Sequence, residues 1–249
     1  ANNSIITSGS SGLNYGIFLT NLQDNIFINN NIRTTGSTNN HGIYTFYSVN
    51  NTVFLLNNIT TSGTNSYAIY IDGSNGSNYT STTINNVLNW IFSTGNTFNN
   101  FTNTTFLTPN GSISILPLMQ INGSQNITQS NLNISSNRAF LNSSNLTYFN
   151  TSAIITINGL TLSNPKPVVD YEDDGTFIDC PAGQCTELSY SGGTYVFNTT
   201  HFTSYSTEET TAEACPYTFT ESTVLGADIH CNETAVILNG SNITLELAV

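Results

Sequence analysis

Along the first hundred residues, apolar positions come in short alternating runs separated by Asn, Ser and Gly, and the runs recur at a fixed interval. Gly16-Ile17-Phe18, Gly42-Ile43-Tyr44 and Ala68-Ile69-Tyr70 are spaced 26 residues apart. A second register, Asn31-Ile32 to Asn58-Ile59 and Gly9 to Gly36 to Gly63, has a spacing of 27, as do Ile26-Phe27-Ile28 and Val53-Phe54-Leu55. The alternation is the period of a half-buried strand, and no helical period competes with it. A unit of three such short strands cannot bury its apolar side alone, so successive units must stack. That arrangement is a coil of a parallel β-helix. Asparagines at equivalent turns (Asn29, Asn30 and Asn31; Asn57 and Asn58; Asn85 and Asn86) suit two explanations equally: side-chain ladders between coils, and simple turn propensity with tolerance of left-handed backbone.

The theme continues irregularly over residues 72–107 and then changes. From about Pro109, separate alternating strands are predicted at Ser112 to Leu116, Ala153 to Ser163, Glu187 to Tyr190 and Thr194 to Tyr205, with hairpin signals at Asp174-Gly175 and Gly192-Gly193. The expected organisation is all-β: β-helix coils over 1–107, a small antiparallel β-sandwich over 108–207, an acidic linker at 208–214, and a third section over 215–249. That last section places short strands at Val224-Leu225, Ala235 to Leu238 and Ile243 to Leu247, with Gly226 and Gly240 at turns. It ends on NGSNITLELAV, which reads as a strand awaiting a partner.

Composition narrows the function. The net charge is −12 and only 7% of residues are charged, with Arg33, Arg138 and Lys166 the only basic side chains. Nucleic acids and anionic membrane surfaces are excluded as partners, because the counterion-release term needs a basic face. No apolar run approaches the roughly 20 residues of a membrane-spanning helix. The chain opens inside patterned sequence at Ala1, so any export signal is expected to have been removed or to lie outside this segment. Although Asn, Ser and Thr supply most of the polarity, 38% hydrophobic and 11% aromatic residues argue for a packed fold. Four cysteines fall into two local pairs, Cys180 with Cys185 and Cys215 with Cys231, and local disulfides are favoured over metal ligation because neither pair has CxxC spacing. Asn-x-Ser/Thr sequons are dense, at Asn50, Asn58, Asn75, Asn78, Asn100, Asn103, Asn110, Asn122, Asn126, Asn133, Asn142, Asn145, Asn150, Asn198, Asn232, Asn239 and Asn242, with a further one at Asn2. Disulfides and sequons together predict an extracellular, N-glycosylated protein of the cell surface.

Repeats such as GIYTFYSVNNTVFLLNNI resemble the carbohydrate-binding and sugar-hydrolase, NosD-like right-handed parallel β-helix superfamily, in the Asn-rich version common on archaeal cell surfaces. The section from VVDYEDDGTFIDC to SYSGGTYVFNTTHFTSYS resembles the β-rich module that interrupts such helices. CPYTFTESTVLGADIHCNETAVILNGSNITLEL resembles the cap and first coil that open a new one. The resemblance implies that NITLEL should run on into a turn and a GIYL-type strand, and ANNSIITSGSSGLNYGIFL at the start of this chain has that form.

Candidate chemistry is sparse. Polysaccharide lyases and hydrolases need clustered carboxylates with a cation to balance developing charge. The coil section holds only Asp24, Asp72 and Arg33, and the two Asp lie 48 apart, off the repeat; no catalytic residue or resident cofactor is expected. Asp170, Glu172 and Asp174 partly match a calcium loop, yet Pro181 stands where a bidentate Glu belongs, so a solvated acidic hairpin is the favoured reading and calcium the weaker one. His41, His201 and His230 fall in separate sections and read as structural. Tyr44, Phe46, Tyr47 and Tyr70 are weighed as a sugar-stacking strip, with core packing preferred. The expected function is a non-catalytic, glycosylated structural protein that assembles head to tail as a homo-oligomeric polymer, a filament or surface layer, with Ile243, Leu245 and Leu247 completing the next unit's β-helix. The alternative is a carbohydrate-binding adhesin.

Overall fold

Three short strands per repeat become three sheets wound into coils. The computed structural model describes residues 3–10, 12–85, 87–95, 97–210, 217–225 and 236–247. They fall in two units, Ala1–Glu208 and Glu209–Val249.

In the first unit, β1 (Asn3–Gly9), β2 (Ile17–Thr20) and β3 (Ile26–Ile28) form one coil. The second holds β4 (Asn30–Gly36), β5 (Ile43–Phe46) and β6 (Val53–Leu55), and the third β7 (Asn58–Thr61), β8 (Tyr67–Asp72) and β9 (Asn78–Thr80). The fourth holds β10 (Thr83–Asn85), β11 (Asn89–Thr94) and β12 (Phe98–Thr102), and β13 (Thr104–Thr108) begins another. All pairings between coils are parallel and in register, so like residues stack. Ile32, Ile59, Ile84 and Phe106 form one inward column, and Ile17, Ile43, Ile69 and Ile91 a second. The third column is aromatic: Phe27, Phe54, Tyr79 and Phe101 stack nearly parallel, with ring centroids 5.3, 4.5 and 4.5 Å apart. Each such side chain contributes about 1.5–3 kcal/mol by leaving water.

Coil spacing also depends on what is missing. A Cβ on Gly42 would stand 2.3 Å from the Ile59 Cγ2 and 2.6 Å from the Ala68 carbonyl oxygen. Asparagines do form ladders: Asn3 donates Nδ2 to Asn30 Oδ1 at 3.1 Å, and Asn30 to Asn57 Oδ1 at 2.9 Å. Both of the weighed explanations operate, since Asn29 and Asn51 have left-handed φ of 61° and 50°.

At β13 the pairing turns antiparallel. The first sheet continues through β14 (Gly111–Ile115), β19 (Ala153–Ile157), β23 (Thr194–Thr199) and β22 (Cys185–Ser191), while β15 (Met119–Asn122) and β16 (Gln125–Thr128) close the other two against β12 and β11. These antiparallel strands therefore extend the coil's own sheets, and Ile113, Ile155 and Phe197 prolong its first inward column. A separate five-stranded sheet holds β17 (Leu132–Ser135), β18 (Arg138–Leu141), β24 (Ser204–Glu209), β20 (Pro165–Asp170) and β21 (Ile178–Asp179). Gly192 and Gly193, with φ of 57° and 75°, make the tight hairpin between β22 and β23. Cys180 and Cys185 are disulfide-bonded with Cα atoms 6.0 Å apart. Cys215 and Cys231 lie outside the described residues, as do His230, Asn232 and linker positions 211–214.

The second unit pairs β25 (Tyr217–Phe219) with β27 (Val236–Leu238) and β26 (Thr223–Leu225) with β28 (Leu245–Leu247), both in parallel. No helix among the described residues is long and apolar enough to cross a membrane.

Candidate functional site

Strand alternation sends every second residue of β2, β5, β8 and β11 outward. With inward positions held by isoleucine, the outward row reads Phe18, Tyr44, Tyr70 and Phe92, in register across four coils. Neighbouring centroids are 5.2, 4.9 and 4.7 Å apart. Phe18 is 48% exposed, and the other three are half-buried. A second row lies one turn earlier, where Tyr15 stacks on His41 at 5.6 Å and His41 meets Tyr67 at 5.9 Å. Phe46 flanks Tyr44 at 5.8 Å, and its partner across the rung is Asp72. The Tyr67 hydroxyl donates to Asn126 Oδ1 at 2.9 Å, at the end where β16 closes the sheet.

This corrects the core-packing preference for Tyr44, Phe46, Tyr47 and Tyr70: all four lie on the outside, Tyr47 at 61% exposure. Regular alternation explains the difference: Ile43 and Thr45 take the inward positions of β5 and Ile69 and Ile71 those of β8, which leaves Tyr44, Phe46 and Tyr70 outward. Sequence reasoning overlooked Tyr15, Phe18, Tyr67 and Phe92. The signal was available in the 26-residue spacing that links Phe18 to Tyr44 to Tyr70 and Tyr15 to His41 to Tyr67.

Electrostatically the strip is neutral to acidic. Burial, then Asp72 and the neighbouring phenols, push the Tyr44 hydroxyl up to about 12, and the same causes raise Tyr70. All these tyrosines therefore keep their proton as a hydrogen-bond donor in neutral water. His41 is 5% exposed, and burial lowers its pKa to about 4. Its Nδ1 accepts the Tyr67 backbone N–H at 3.1 Å, which requires a neutral ring. Chemically, such a surface offers flat apolar faces with phenolic donors at their edges, the combination that stacks on and hydrogen-bonds a polyhydroxylated ring.

The other candidate residues are scattered. Asp24 sits in the turn between β2 and β3, while Asp72 ends β8 and takes Phe46 as its rung partner, so the two carboxylates occupy different positions of the coil. Asp170 is 1% exposed and uses both carboxylate oxygens on its own turn: Oδ1 accepts Glu172 N–H at 3.2 Å and Oδ2 accepts Gly175 N–H at 2.8 Å. Glu172 and Asp174 are exposed, and no cluster of three metal-ligating side chains occurs among the described residues. Lys166 pairs with Asp179 across β20 and β21 at 2.5 Å. Ile243 and Leu245 are half-buried, and Leu247 lies on β28. None of the described sequon asparagines is buried. Comparison with protein families, curated proteins and solved structures finds no match to this chain.

Proposed function

We propose that this is a non-catalytic structural protein of the cell exterior, N-glycosylated and built on NosD-like β-helix coils of the Asn-rich archaeal kind, whose coils are continued by those of a neighbouring unit into a filament or surface layer. The observation that carries the reading is the edge of the coil stack. Among the described residues, β1, β2 and β3 are each paired on one side only, by the parallel strands of the second coil. The second unit forms parallel rung pairs of the same type. Open strand edges are templates for strand addition, and a coil that adds a coil removes the liability on both sides. The neighbouring unit lies either on another polypeptide or further along the same one.

The test is assembly itself. A filament or lattice in negative-stain images, lost on deleting residues 240–249 while Trp90 fluorescence stays native, supports the reading. Monodisperse particles at high concentration overturn it for separate chains. A denaturing gel of the source material then separates a unit near 26.9 kDa plus glycan from a much larger tandem polypeptide.

The outward aromatic rows favour a second reading, a carbohydrate-binding adhesin. Glycan-array binding by the full chain that disappears in Phe18→Ala and Tyr44→Ala supports it, and an array with no binding removes it.

A further inference from the structure

The sequons are chemically alike in sequence but not in the fold. N-glycosylation requires two things of a sequon: an Asn Nδ2 free to act as nucleophile, and a Ser or Thr hydroxyl two residues later that the transferase can reach. At four of the coil sequons, one or the other is withheld. Asn58 Nδ2 donates to Asn31 Oδ1 at 3.2 Å, and Asn100 Nδ2 to Asn78 Oδ1 at 2.9 Å, so both amides hold adjacent coils together. Asn50 and Asn75 fail by their second half, because Thr52 and Ser77 are both fully buried at 0% exposure. These residues also lie on rungs, bridged to each other as Asn50 and Asn75, and a bulky substituent there would have to displace the neighbouring coil.

The segment around the short 3-10 helix Thr147–Phe149 is the opposite case. Asn145 and Asn150 are exposed, and so are Thr147 and Ser152, the hydroxyls that complete their sequons. Asn150 uses only its oxygen in the fold, accepting the Phe202 N–H at 3.0 Å, which fixes the side chain and leaves Nδ2 unspent. Asn145 engages its backbone N–H with Asn142 Oδ1 at 3.1 Å and leaves its side-chain amide outward.

We propose that Asn145 and Asn150 are N-glycan acceptors of the folded chain, and that at Asn50, Asn58, Asn75 and Asn100 the fold withholds either the amide or the hydroxyl of the sequon. The assignment rests on the extracellular reading above only for the glycan donor. That donor is a lipid-linked glycosyl pyrophosphate: Nδ2 attacks the anomeric carbon, the bond from that carbon to the pyrophosphate oxygen breaks with its electron pair leaving on the pyrophosphate, and the amide nitrogen gives one proton to the transferase's base. Glycans at this loop leave the three coil faces and the edge at β1 to β3 bare for assembly.

The experiment compares the folded full chain, produced without glycans, with synthetic peptides carrying each sequon, both presented to a purified oligosaccharyltransferase with its lipid-linked donor. Site occupancy is read by glycopeptide mass spectrometry. The expected result is that every peptide is modified, while the folded chain is modified at Asn145 and Asn150. At Asn50, Asn75 and Asn100 its occupancy is lower by on the order of tenfold or more, because the coil must open first, and at Asn58, held by one outward bond, it is lower by about threefold. Modification of folded Asn58 or Asn100 as readily as their peptides overturns the proposal, as does an unmodified Asn145 and Asn150. Source material that carries no glycan at all overturns the extracellular reading instead and leaves the pattern on the folded chain as the measure of this one.

Discussion

Asn57→Ala tests whether side-chain ladders, and not only apolar columns, hold the coils together. Asn57 is 1% exposed and makes three side-chain hydrogen bonds. Its Oδ1 accepts both the backbone N–H of Asn30 at 3.0 Å and the Asn30 Nδ2 at 2.9 Å, and its own Nδ2 donates to the Phe27 carbonyl at 3.0 Å. Alanine leaves two donors and one acceptor of the adjacent coil without these partners in a place water does not reach. At about 1 kcal/mol net for each neutral bond, the loss is about 3 kcal/mol, and desolvation of the abandoned groups adds to it. The neighbouring Asn58→Ala is the control: one outward bond of 3.2 Å is lost, and an Oδ1 that has no partner goes with it, so the cost stays below about 1 kcal/mol. Urea unfolding followed through Trp90, the sole tryptophan and fully buried in the fourth coil, measures both. With a slope of about 1–3 kcal/mol per molar urea, Asn57→Ala lowers the midpoint by at least about 1 M. Equal midpoints for the two variants would refute the argument that the buried ladder, and not asparagine's turn preference, is what the coil needs.

Gly42→Ala should destabilise by about 1–3 kcal/mol, because the new methyl group meets Ile59 and the Ala68 carbonyl well inside contact distance; thermal melting of the variant measures it, and an unchanged melt contradicts the tight approach. His41 makes stability depend on pH. Its folded pKa of about 4 lies below the ordinary 6.5, so the unfolded chain binds the proton more readily, and the contribution is complete above pH 6.5 and lost as pH falls towards 4. That loss is on the order of 3 kcal/mol, and His41→Gln should flatten this part of the urea-midpoint profile; a variant profile with the same slope as the parent removes His41 as the cause. Asp170→Ala should cost roughly 2 kcal/mol by removing the two hydrogen bonds that its buried carboxylate accepts from the turn's backbone, and millimolar calcium should leave the melting temperature of the parent protein unchanged. A calcium-dependent rise would restore the acidic loop as a cation site.

The coils were legible because each repeat is one local event written several times: a 26- or 27-residue spacing fixes strand, turn and register together. The hairpin at Gly192-Gly193 was equally plain, since its φ angles demand glycine. The attachment of the antiparallel strands could not be read, because β16 joins β11 and β15 joins β12 through contacts that no repeat encodes. The aromatic strip failed for a narrower reason. Phe18, Tyr44 and Tyr70 share a spacing, but the spacing does not say which of two alternating apolar sets packs inward, and it is the neighbouring Ile17, Ile43 and Ile69 that take the core. Asp170 was misleading in a third way, because a carboxylate that closes its own turn and one that awaits calcium have the same sequence signature until the backbone amides are placed.

The two ends of the coil stack are managed differently, and this gives any assembly a direction. Towards β13 the sheets pass into antiparallel strands, which turn the chain back and, among the described residues, add no further parallel rung. At β1, β2 and β3 the rungs remain parallel, and the buried ladder has a polarity. Asn3 donates to Asn30, and Asn30 to Asn57, so the amide donors of this row point away from the β1 edge. Two outward pairs on different sheets run the other way, Asn58 donating to Asn31 across β7 and β4 and Asn100 to Asn78 across β12 and β9. A coil added outside β1 continues the buried ladder if its inner asparagine donates towards Asn3, as Asn3 does towards Asn30. A strand running antiparallel cannot repeat that pattern at successive rungs. The growth proposed at this edge therefore favours a parallel coil with asparagine at the inner turn position over an unrelated β-strand.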